Sequence, residues 1–483
     1  MSKLSSPDIP VIAVIGGGFT GAAVATHLAD DRLRIALYEP RATAGAGLAY
    51  DTDEPVNRIN VPAGKMGLHG DAADAFLNFV LAGPAAQTDK ALLDTAGQPF
   101  PQRGLFGAYV ANALAPHLQA GRVQHLRRRV TSVTREGAGW RITDDAGGQR
   151  HADAVVIATS HPPPALPAAL RPLGADPRLV QASDGTEALA RIRPDARVLV
   201  VGNGLTAADA IATLDRLGHH GPVLAVSRRG LRSKGHNPQP QDPFGQFLPL
   251  APPSALGLFR RVRAEVARAA AEGIAWQAVF DQLRADAQQI WALLPLVERR
   301  RIIRHLRALW DVHRFRIAPQ VEAVLDHAIQ AGRLQIRAAS PVAARVDGEG
   351  EGRGLQITLR SRDSGARIEA EFDAVIVATG PAHGTILDSQ PLLAGLRDAG
   401  VLTLCPTGLG IACDLTSRAV TRTGASEPTL FIAGPLARGT FGELMGLPQV
   451  ADQAFAVAQE LGALLLGTLA PPSPLSGAPA RPV

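Results

Sequence analysis

The chain has 483 residues, 46% of them apolar and 19% charged, and a net charge of +5. This length provides for two or three domains, and so modest a charge in a globular composition gives no reason to expect nucleic acid as a partner. Two cysteines exclude a disulfide framework and a cysteine-based zinc site. No apolar run is long enough for a signal peptide or a membrane span, so we expect a cytoplasmic protein that needs no metal.

A strand, a glycine turn and a helix open the chain. The apolar run "VIAVI" predicts a buried strand, and Ala22 to Ala29 a helix. Between them stand Gly16, Gly18 and Gly21, at the spacing that permits a sharp turn, close approach of a pyrophosphate and packing of helix on strand. Glu39 ends the next strand at the distance expected for a carboxylate that binds a ribose hydroxyl. These residues predict a dinucleotide site.

A second turn of the same kind follows in "ARVLVVGNGLTAADAIATL". Gly202, Gly204 and Ala207 occupy the three positions of the motif. At the end of the following strand, where a carboxylate would select NADH, stand Ser227 and Arg228. Because a guanidinium pairs with a 2′-phosphate, we expect NADPH rather than NADH here. The alternative is that the arginine is only a solvated residue at the end of the strand.

Residues 241–331, which we call the cap, are predicted to be almost wholly helical from Ala255 onwards. The cap holds three of the four tryptophans and many arginines. Aromatic walls with arginines suit an anionic organic substrate. Core tryptophans on a solvated basic helix are the equally weighted alternative.

A repeated phrase links the two halves of the chain. "HADAVVIATSHPPP" at residues 151–164 recurs as "FDAVIVATGPA" at residues 372–382. The apolar runs are short and lack polar alternation, which is typical of strands buried in a parallel sheet. "WRITDD" and "LQITLR" precede them as hairpin strands. We interpret each copy as the return strand that completes one nucleotide-binding unit.

Several stretches resemble one bacterial family of FAD/NAD(P)-binding oxidoreductases, distant relatives of flavin monooxygenases that include N-hydroxylating enzymes. These stretches are "GAGLAYDTDEPVNRINVPAGKM", "PQRGLFGAYV", "VGNGLTAADAIATL", "SRRGLRSKGH", Trp310 to Arg314 and "IAGPLARGTFGELMGLPQVADQA". The resemblance covers nearly the whole chain apart from its C-terminal tail. It implies FAD in the first site and NAD(P)H in the second.

The resemblance also implies further cofactor residues. Asn60 lies where the chain of such flavoproteins passes near the flavin ring, and Arg103 is a candidate phosphate partner. Gly434 and Thr440 belong to the last flavin-contacting segment, although Pro435 replaces the aspartate usual there. A packing loop and a solvated arginine are the structural alternatives. No catalytic residue is identifiable.

The predicted fold is α/β, with two Rossmann-like domains and a mostly helical insertion. Residues 1–165 and 370–468 are assigned to the FAD domain, residues 195–240 and 332–369 to the NAD(P)H domain, and residues 469–483 to a disordered tail.

The predicted function is an FAD-dependent oxidoreductase. We favour an NADPH-using monooxygenase that takes molecular oxygen and hydroxylates the amine of a small organic substrate. The alternatives are a flavin-dependent dehydrogenase or reductase with a non-oxygen acceptor, and a nucleotide-binding sensor without turnover.

Overall fold

The computed structural model describes residues 9–70, 74–347 and 354–467. The strands, numbered in chain order, are β1 Val11–Ile15, β2 Arg34–Tyr38, β3 Val123–Leu126, β4 Val130–Glu136, β5 Gly139–Asp144, β6 Gln149–Ala152, β7 Ala154–Ile157, β8 Leu179–Gln181, β9 Val198–Val201, β10 Val223–Ser227, β11 Leu334–Asp347, β12 Gly354–Ser361, β13 Arg367–Phe372, β14 Ala374–Val377, β15 Arg418–Val420 and β16 Ser426–Ile432. The helices are α1 Phe19–Leu28, α2 Gly47–Tyr50, α3 Ala75–Ala82, α4 Ala85–Thr88, α5 Arg103–Gln119, α6 Thr186–Ala190, α7 Leu205–Arg216, α8 Ala255–Ala271, α9 Trp276–Leu293, α10 Leu296–Arg301, α11 Arg307–Arg314, α12 Pro319–Gln330, α13 Pro391–Asp398, α14 Arg438–Phe441 and α15 Gln449–Leu466. The predicted tail, residues 469–483, lies outside the described residues.

The first sheet has the order β15-β16-β7-β1-β2-β3, parallel except for β15. Its central strands β1 and β7 carry apolar side chains to both faces, and both faces are covered. The strands therefore consist of small and β-branched residues without polar alternation, as expected of a buried parallel sheet. The sheet β4-β5-β6 forms a separate antiparallel layer.

The second sheet repeats this design in the order β13-β12-β11-β10-β9-β14-β8. Strand β9 lies between β10 and β14, as β1 lies between β2 and β7, and all these neighbours are parallel. The register is also repeated, since Ile12 stands opposite Ala154 and Val198 opposite Ala374. The predicted return strands thus close two equivalent sheets.

The domain boundary predicted at residue 370 needs correction. Strand β14 pairs with β9, so the second domain extends through Val377 and the first resumes only after it. The second domain also begins earlier than residue 195, because β8 pairs with β14. A return strand belongs to the unit whose first strand it pairs with, and the repeated phrase marks that strand in both units.

Two ion pairs tie the two domains together. Glu54, whose side chain is 1% exposed, forms an ion pair with Arg216 at the end of α7 and accepts a hydrogen bond from the Thr186 hydroxyl. Arg103 at the start of α5 forms an ion pair with Asp209 on α7 at 2.9 Å. Both pairs join the N-terminal segment to the second domain.

The cap is helical, as predicted. Helices α8 to α12 and a π-helical turn, Ile302–Leu306, account for most of its length. Its own apolar core includes Phe247, Val279 and Ile290. Among the described residues, no helix is both long and apolar enough to span a membrane.

Candidate active site

The first glycine turn is built against the first copy of the repeated phrase. Gly16 has φ +101°, and its N–H donates to the Tyr38 carbonyl. A Cβ on Gly16 would come within 2.5 Å of the Ala158 carbonyl oxygen, and one on Gly21 within 1.8 Å of the Gly16 carbonyl oxygen. These two positions therefore require glycine for reasons of backbone packing. A Cβ on Gly18 would lie 3.4 Å from the Gly47 Cα, so this position has more space.

Glu39 lies buried at the end of β2 and is fixed by hydrogen bonds. Its Oε2 accepts from the Gly17 N–H at 3.1 Å, and its Oε1 accepts from the backbone N–H and guanidinium of Arg41 at 3.1 and 3.0 Å. A carboxylate accepts about four hydrogen bonds, so Oε2 retains capacity for a ribose hydroxyl.

A cavity of about 550 Å³ opens beside this turn. Its lining includes Gly16, Glu39, Arg128, Arg129 and Thr159. The Thr159 hydroxyl is buried and has no hydrogen-bond partner among the described residues. Carboxylate, arginines and an unpaired hydroxyl fit the ADP half of FAD. The sequence interpretation missed Arg128 and Arg129, although the basic run at residues 127–129 was a visible signal.

The second glycine turn has the same construction. Gly202 has φ +125°, its N–H donates to the Val226 carbonyl, and a Cβ there would lie 2.2 Å from the Ala378 carbonyl oxygen. Gly204 has nothing within 4 Å of the position of a Cβ. The third motif position, Ala207, is buried between α7 and the sheet. The open space at Gly204 is the feature that close approach of a pyrophosphate requires.

Two predicted nucleotide residues end β10. The Ser227 hydroxyl accepts a hydrogen bond from the Asn203 amide at 3.1 Å, which ties the strand end to the glycine turn. Arg228 is exposed, and within the described parts of the chain no hydrogen bond or ion pair engages its guanidinium. Arg229, by contrast, donates to the His305 carbonyl at 2.7 Å. Arg228 is thus the available guanidinium of this pair.

The two copies of the repeated phrase meet through histidines that the sequence interpretation missed. His161 follows the first Ala-Thr turn and His383 the second, and their rings lie edge to face with centroids 4.9 Å apart. Burial lowers the pKa of His161 to about 4, and burial together with His161 lowers the pKa of His383 to about 3. Both rings are therefore neutral at neutral pH.

Arginines and carboxylates from the cap and the first domain surround these histidines. The Arg307 guanidinium donates to His383 Nε2 at 3.3 Å and pairs with Asp311 at 3.3 Å. Arg438 lies 3.8 Å from the other oxygen of Asp311. Burial raises the pKa of Asp311 and lowers that of Arg438. Arg438 Nε is buried and has no hydrogen-bond partner among the described residues.

A second cavity, of about 640 Å³, lies on the cap side of this cluster. Arg307, Arg438 and Glu443 line it, together with apolar side chains of α8, α9 and α11. The same two arginines act electrostatically on His161, which lines the first cavity. The polar cluster therefore lies between the nucleotide cavity of the first domain and the cap cavity.

Most cap arginines hold the structure together. Arg314 forms a buried ion pair with Glu443 at 2.7 Å, and Arg284 donates to the Leu447 carbonyl. Trp291 donates its indole N–H to the Gly439 carbonyl at 3.1 Å, so the cap is fixed onto the segment before α15. These arginines are therefore neither solvated nor free to bind a substrate, whereas Arg307 lines the cavity.

Comparisons with known proteins agree with this geometry. The profile of a family described as FAD-NAD(P)-binding matches residues 13–162. The profile of the L-lysine 6-monooxygenase/L-ornithine 5-monooxygenase family matches residues 96–248. This chain is an FAD/NAD(P)-dependent oxidoreductase related to the lysine and ornithine monooxygenases. No curated protein matches it.

Solved structures show the fold of the oxidoreductase at distant identity. The reduced ornithine hydroxylase from Pseudomonas aeruginosa is 16% identical, with 95% of this chain and 98% of that one covered and a TM-score of 0.65. The L-lysine 6-monooxygenase from Pseudomonas syringae is 19% identical, with 95% and 99% covered and a TM-score of 0.63. A thioredoxin reductase from Lactococcus lactis is 13% identical, with 95% and 100% covered and a TM-score of 0.52. The predicted fold class, family relationship and enzyme class are confirmed.

The remaining predicted residues of the oxidoreductase have structural contacts. The Asn60 carbonyl accepts from His236 Nε2 at 3.0 Å, and the Thr440 hydroxyl donates to the Cys413 carbonyl at 2.9 Å. Gly434 has φ +72°, and a Cβ there would meet the Thr20 hydroxyl of α1 at 2.5 Å, so this turn packs directly on the first nucleotide unit. Their cofactor roles stay predictions.

Arg103 has a different environment from the one expected. It is committed to Asp209 and to the Arg58 carbonyl, which it contacts at 3.2 and 3.0 Å. Burial raises the pKa of Asp209, so the carboxylate depends on this guanidinium to remain charged. A phosphate role for Arg103, which stays a prediction, would require breaking this pair.

Proposed function

We propose that the oxidoreductase is an NADPH-dependent monooxygenase that hydroxylates the nitrogen of an organic amine. The observation that carries the proposal is the polar cluster between the first nucleotide cavity and the cap cavity. An amine, O₂, NADPH and a proton would give the hydroxylamine, NADP⁺ and water. Bound FAD would supply the redox chemistry by taking a hydride from NADPH and activating oxygen.

The residues of the cluster suit this task. His161 and His383 are held neutral by burial, so they hydrogen-bond without adding charge. Asp311, with its raised pKa, can take the proton that leaves the amine nitrogen. Arg438 Nε offers a buried donor to the polar end of a substrate. Packing of the cap on the first domain through Trp291 reduces the access of water to this region.

The properties of the two cysteines argue against a disulfide as the acceptor of electrons from the flavin. Cys405 and Cys413 are buried thiols, and burial raises the pKa of Cys413 to about 12. A thiol held protonated is a poor nucleophile and a poor partner for electron transfer from a flavin. This distinguishes the proposed chemistry from that of a disulfide reductase.

The choice of NADPH rests on Arg228. Its guanidinium is exposed at the end of β10, beside the turn that contains the open position at Gly204. A planar guanidinium there would pair with a 2′-phosphate.

An oxygen-isotope experiment tests the reaction. The FAD-loaded enzyme is reduced with NADPH under anoxia and then mixed with ¹⁸O₂ and a panel of amines. We expect one labelled oxygen atom in a hydroxylamine and a correspondingly reduced yield of hydrogen peroxide. Complete conversion to peroxide with every amine, together with anoxic turnover on a quinone, would establish a dehydrogenase instead. Failure of NADPH to reduce the flavin would indicate a sensor.

A further inference from the structure

The walls of the cap cavity are apolar over most of their area. Helices α8, α9 and α11 contribute aliphatic and aromatic side chains to it, among them Leu258, Val262, Leu283, Ile290 and Trp310. At about 640 Å³ the cavity has the size of sites that enclose a whole organic ligand. A ligand bound here would place most of its surface against carbon.

The polar lining is concentrated where the first domain contributes to the cavity. Arg438 and Glu443 come from the segment around α14. Arg307 of the cap lies beside Arg438, because Asp311 contacts both guanidinium groups. Two other polar residues, Arg263 and His313, line the cap side. Arg263 is exposed, and His313 uses Nδ1 to donate to the Leu309 carbonyl while its ring stacks on Phe280.

On the basis of the proposed function, we infer that the substrate is a monoamine with an extended apolar body. The body would lie along α8 and α9, and the amine would lie at the end formed by Arg307 and Arg438. A lysine or ornithine molecule would instead bring a carboxylate and a second ammonium group against apolar walls. Burying charges without partners is strongly unfavourable.

The charges at the polar end agree with this assignment. Two arginines line it, and the nearest carboxylate on the lining, Glu443, is already paired with Arg314. Asp311 lies between Arg307 and Arg438 and offsets one of their charges, so a further cation is still disfavoured beside the two arginines and the free amine is favoured over its ammonium form. The free amine carries the lone pair that N-hydroxylation requires.

A chain-length series of straight-chain primary amines tests the inference on the FAD-loaded enzyme. Each added methylene should raise kcat/KM about fourfold until the cavity is full, because each buried methylene contributes a constant increment of binding free energy. Lysine and ornithine should be poorer substrates than alkylamines of the same carbon number. A flat or falling series, or preference for the amino acids, would overturn the inference.

Binding is measured in parallel so that the two proposals can fail separately. Trp291 and Trp310 line the cavity, and quenching of tryptophan emission reports its occupation. Straight-chain alcohols should bind with the same dependence on chain length, without any reaction. If alcohols and amines both show this dependence but no hydroxylamine forms, the cavity assignment stands and the proposed reaction is wrong.

A pair of variants on α9 locates the effect. Ala287 lines the cavity, whereas Ala285 on the same helix is exposed and does not. Ala287→Phe should reduce kcat/KM for the longest amines at least tenfold and shift the optimum to shorter ones. Ala285→Phe should leave the series unchanged. An identical series for wild type and both variants would contradict binding of the apolar body in this cavity.

Discussion

Adding one methyl group at Gly204 should weaken the binding of NADPH to the second nucleotide unit and leave the stability of that unit almost unchanged. No atom lies within 4 Å of the position that a Cβ would take, and φ is −83°, a value that alanine adopts freely. Gly204→Ala should therefore change the free energy of unfolding by no more than about 1 kcal/mol, since the loss of a glycine N-cap and the gain in chain stiffness are of similar size. A bound pyrophosphate would meet the methyl group. Displacing it from its charge-assisted backbone hydrogen bonds should cost about 1.5–3 kcal/mol, which corresponds to a ten- to hundredfold rise in the Kd for NADPH.

The assay is anaerobic reduction of the bound flavin in a stopped-flow instrument at increasing NADPH concentration. FAD content should be unchanged, because the first glycine turn is not altered. Gly395→Ala is the matched control, as this glycine in α13 also has open space at its Cβ position. Gly202→Ala should instead lower stability, because its Cβ would lie 2.2 Å from a carbonyl oxygen. A Kd for Gly204→Ala within twofold of the wild-type value would refute the assignment of this turn to the NADPH phosphates.

Three further predictions concern charges. Arg228→Ala should raise the KM for NADPH about ten- to hundredfold and leave that for NADH nearly unchanged, measured as steady-state NAD(P)H oxidation, and equal effects on both nucleotides would contradict the 2′-phosphate contact. Glu443→Gln should lower the free energy of unfolding, measured by urea denaturation, by about 3–5 kcal/mol, because it leaves Arg314 buried without its ion pair. The double variant Glu443→Gln with Arg314→Met should lose less stability, and an equal loss in both variants would argue against the pair. Burial lowers the pKa of His161 to about 4 and of His383 to about 3, below the ordinary 6.5, so the unfolded chain takes up protons first. The contribution of the two neutral rings to stability should be complete above pH 6.5 and be lost as the pH drops towards about 4 for His161 and about 3 for His383. Tm should fall less steeply in His161→Asn than in the wild type, and parallel curves would show that this ring does not contribute.

The sequence was sufficient for the nucleotide-binding units because their signals are local. A buried strand, a glycine turn and a helix lie within one short stretch, and Gly16 and Gly202 are recognisable there without knowledge of their contacts. Gly16 packs against the Ala158 carbonyl and Gly202 against the Ala378 carbonyl. Both alanines are distant from the turns in the chain, but the repeated phrase identified the strands that precede them.

The interior of the site depends on contacts between distant segments, which no local pattern specifies. His161 and His383 each follow an Ala-Thr turn, yet only the meeting of the two domains brings their rings together. The same limit applies to the arginines. Composition could not distinguish Arg307, which faces the cavity, from Arg314, which pairs with a carboxylate contributed by the first domain. Likewise, the sequence around Arg103 does not indicate that this side chain forms an ion pair with Asp209.

The ion pairs of Glu54 with Arg216 and of Arg103 with Asp209 restrict how the oxidoreductase can move during turnover. Rotation of the second domain away from the first would break both ion pairs and replace them by contacts of the separated charges with water, so the pairs restrain this rotation. The two ion pairs thus favour the domain orientation seen in the structure. The buried Arg314–Glu443 pair holds the cap on the first domain in the same way, so opening either the domain interface or the cap must break at least one ion pair.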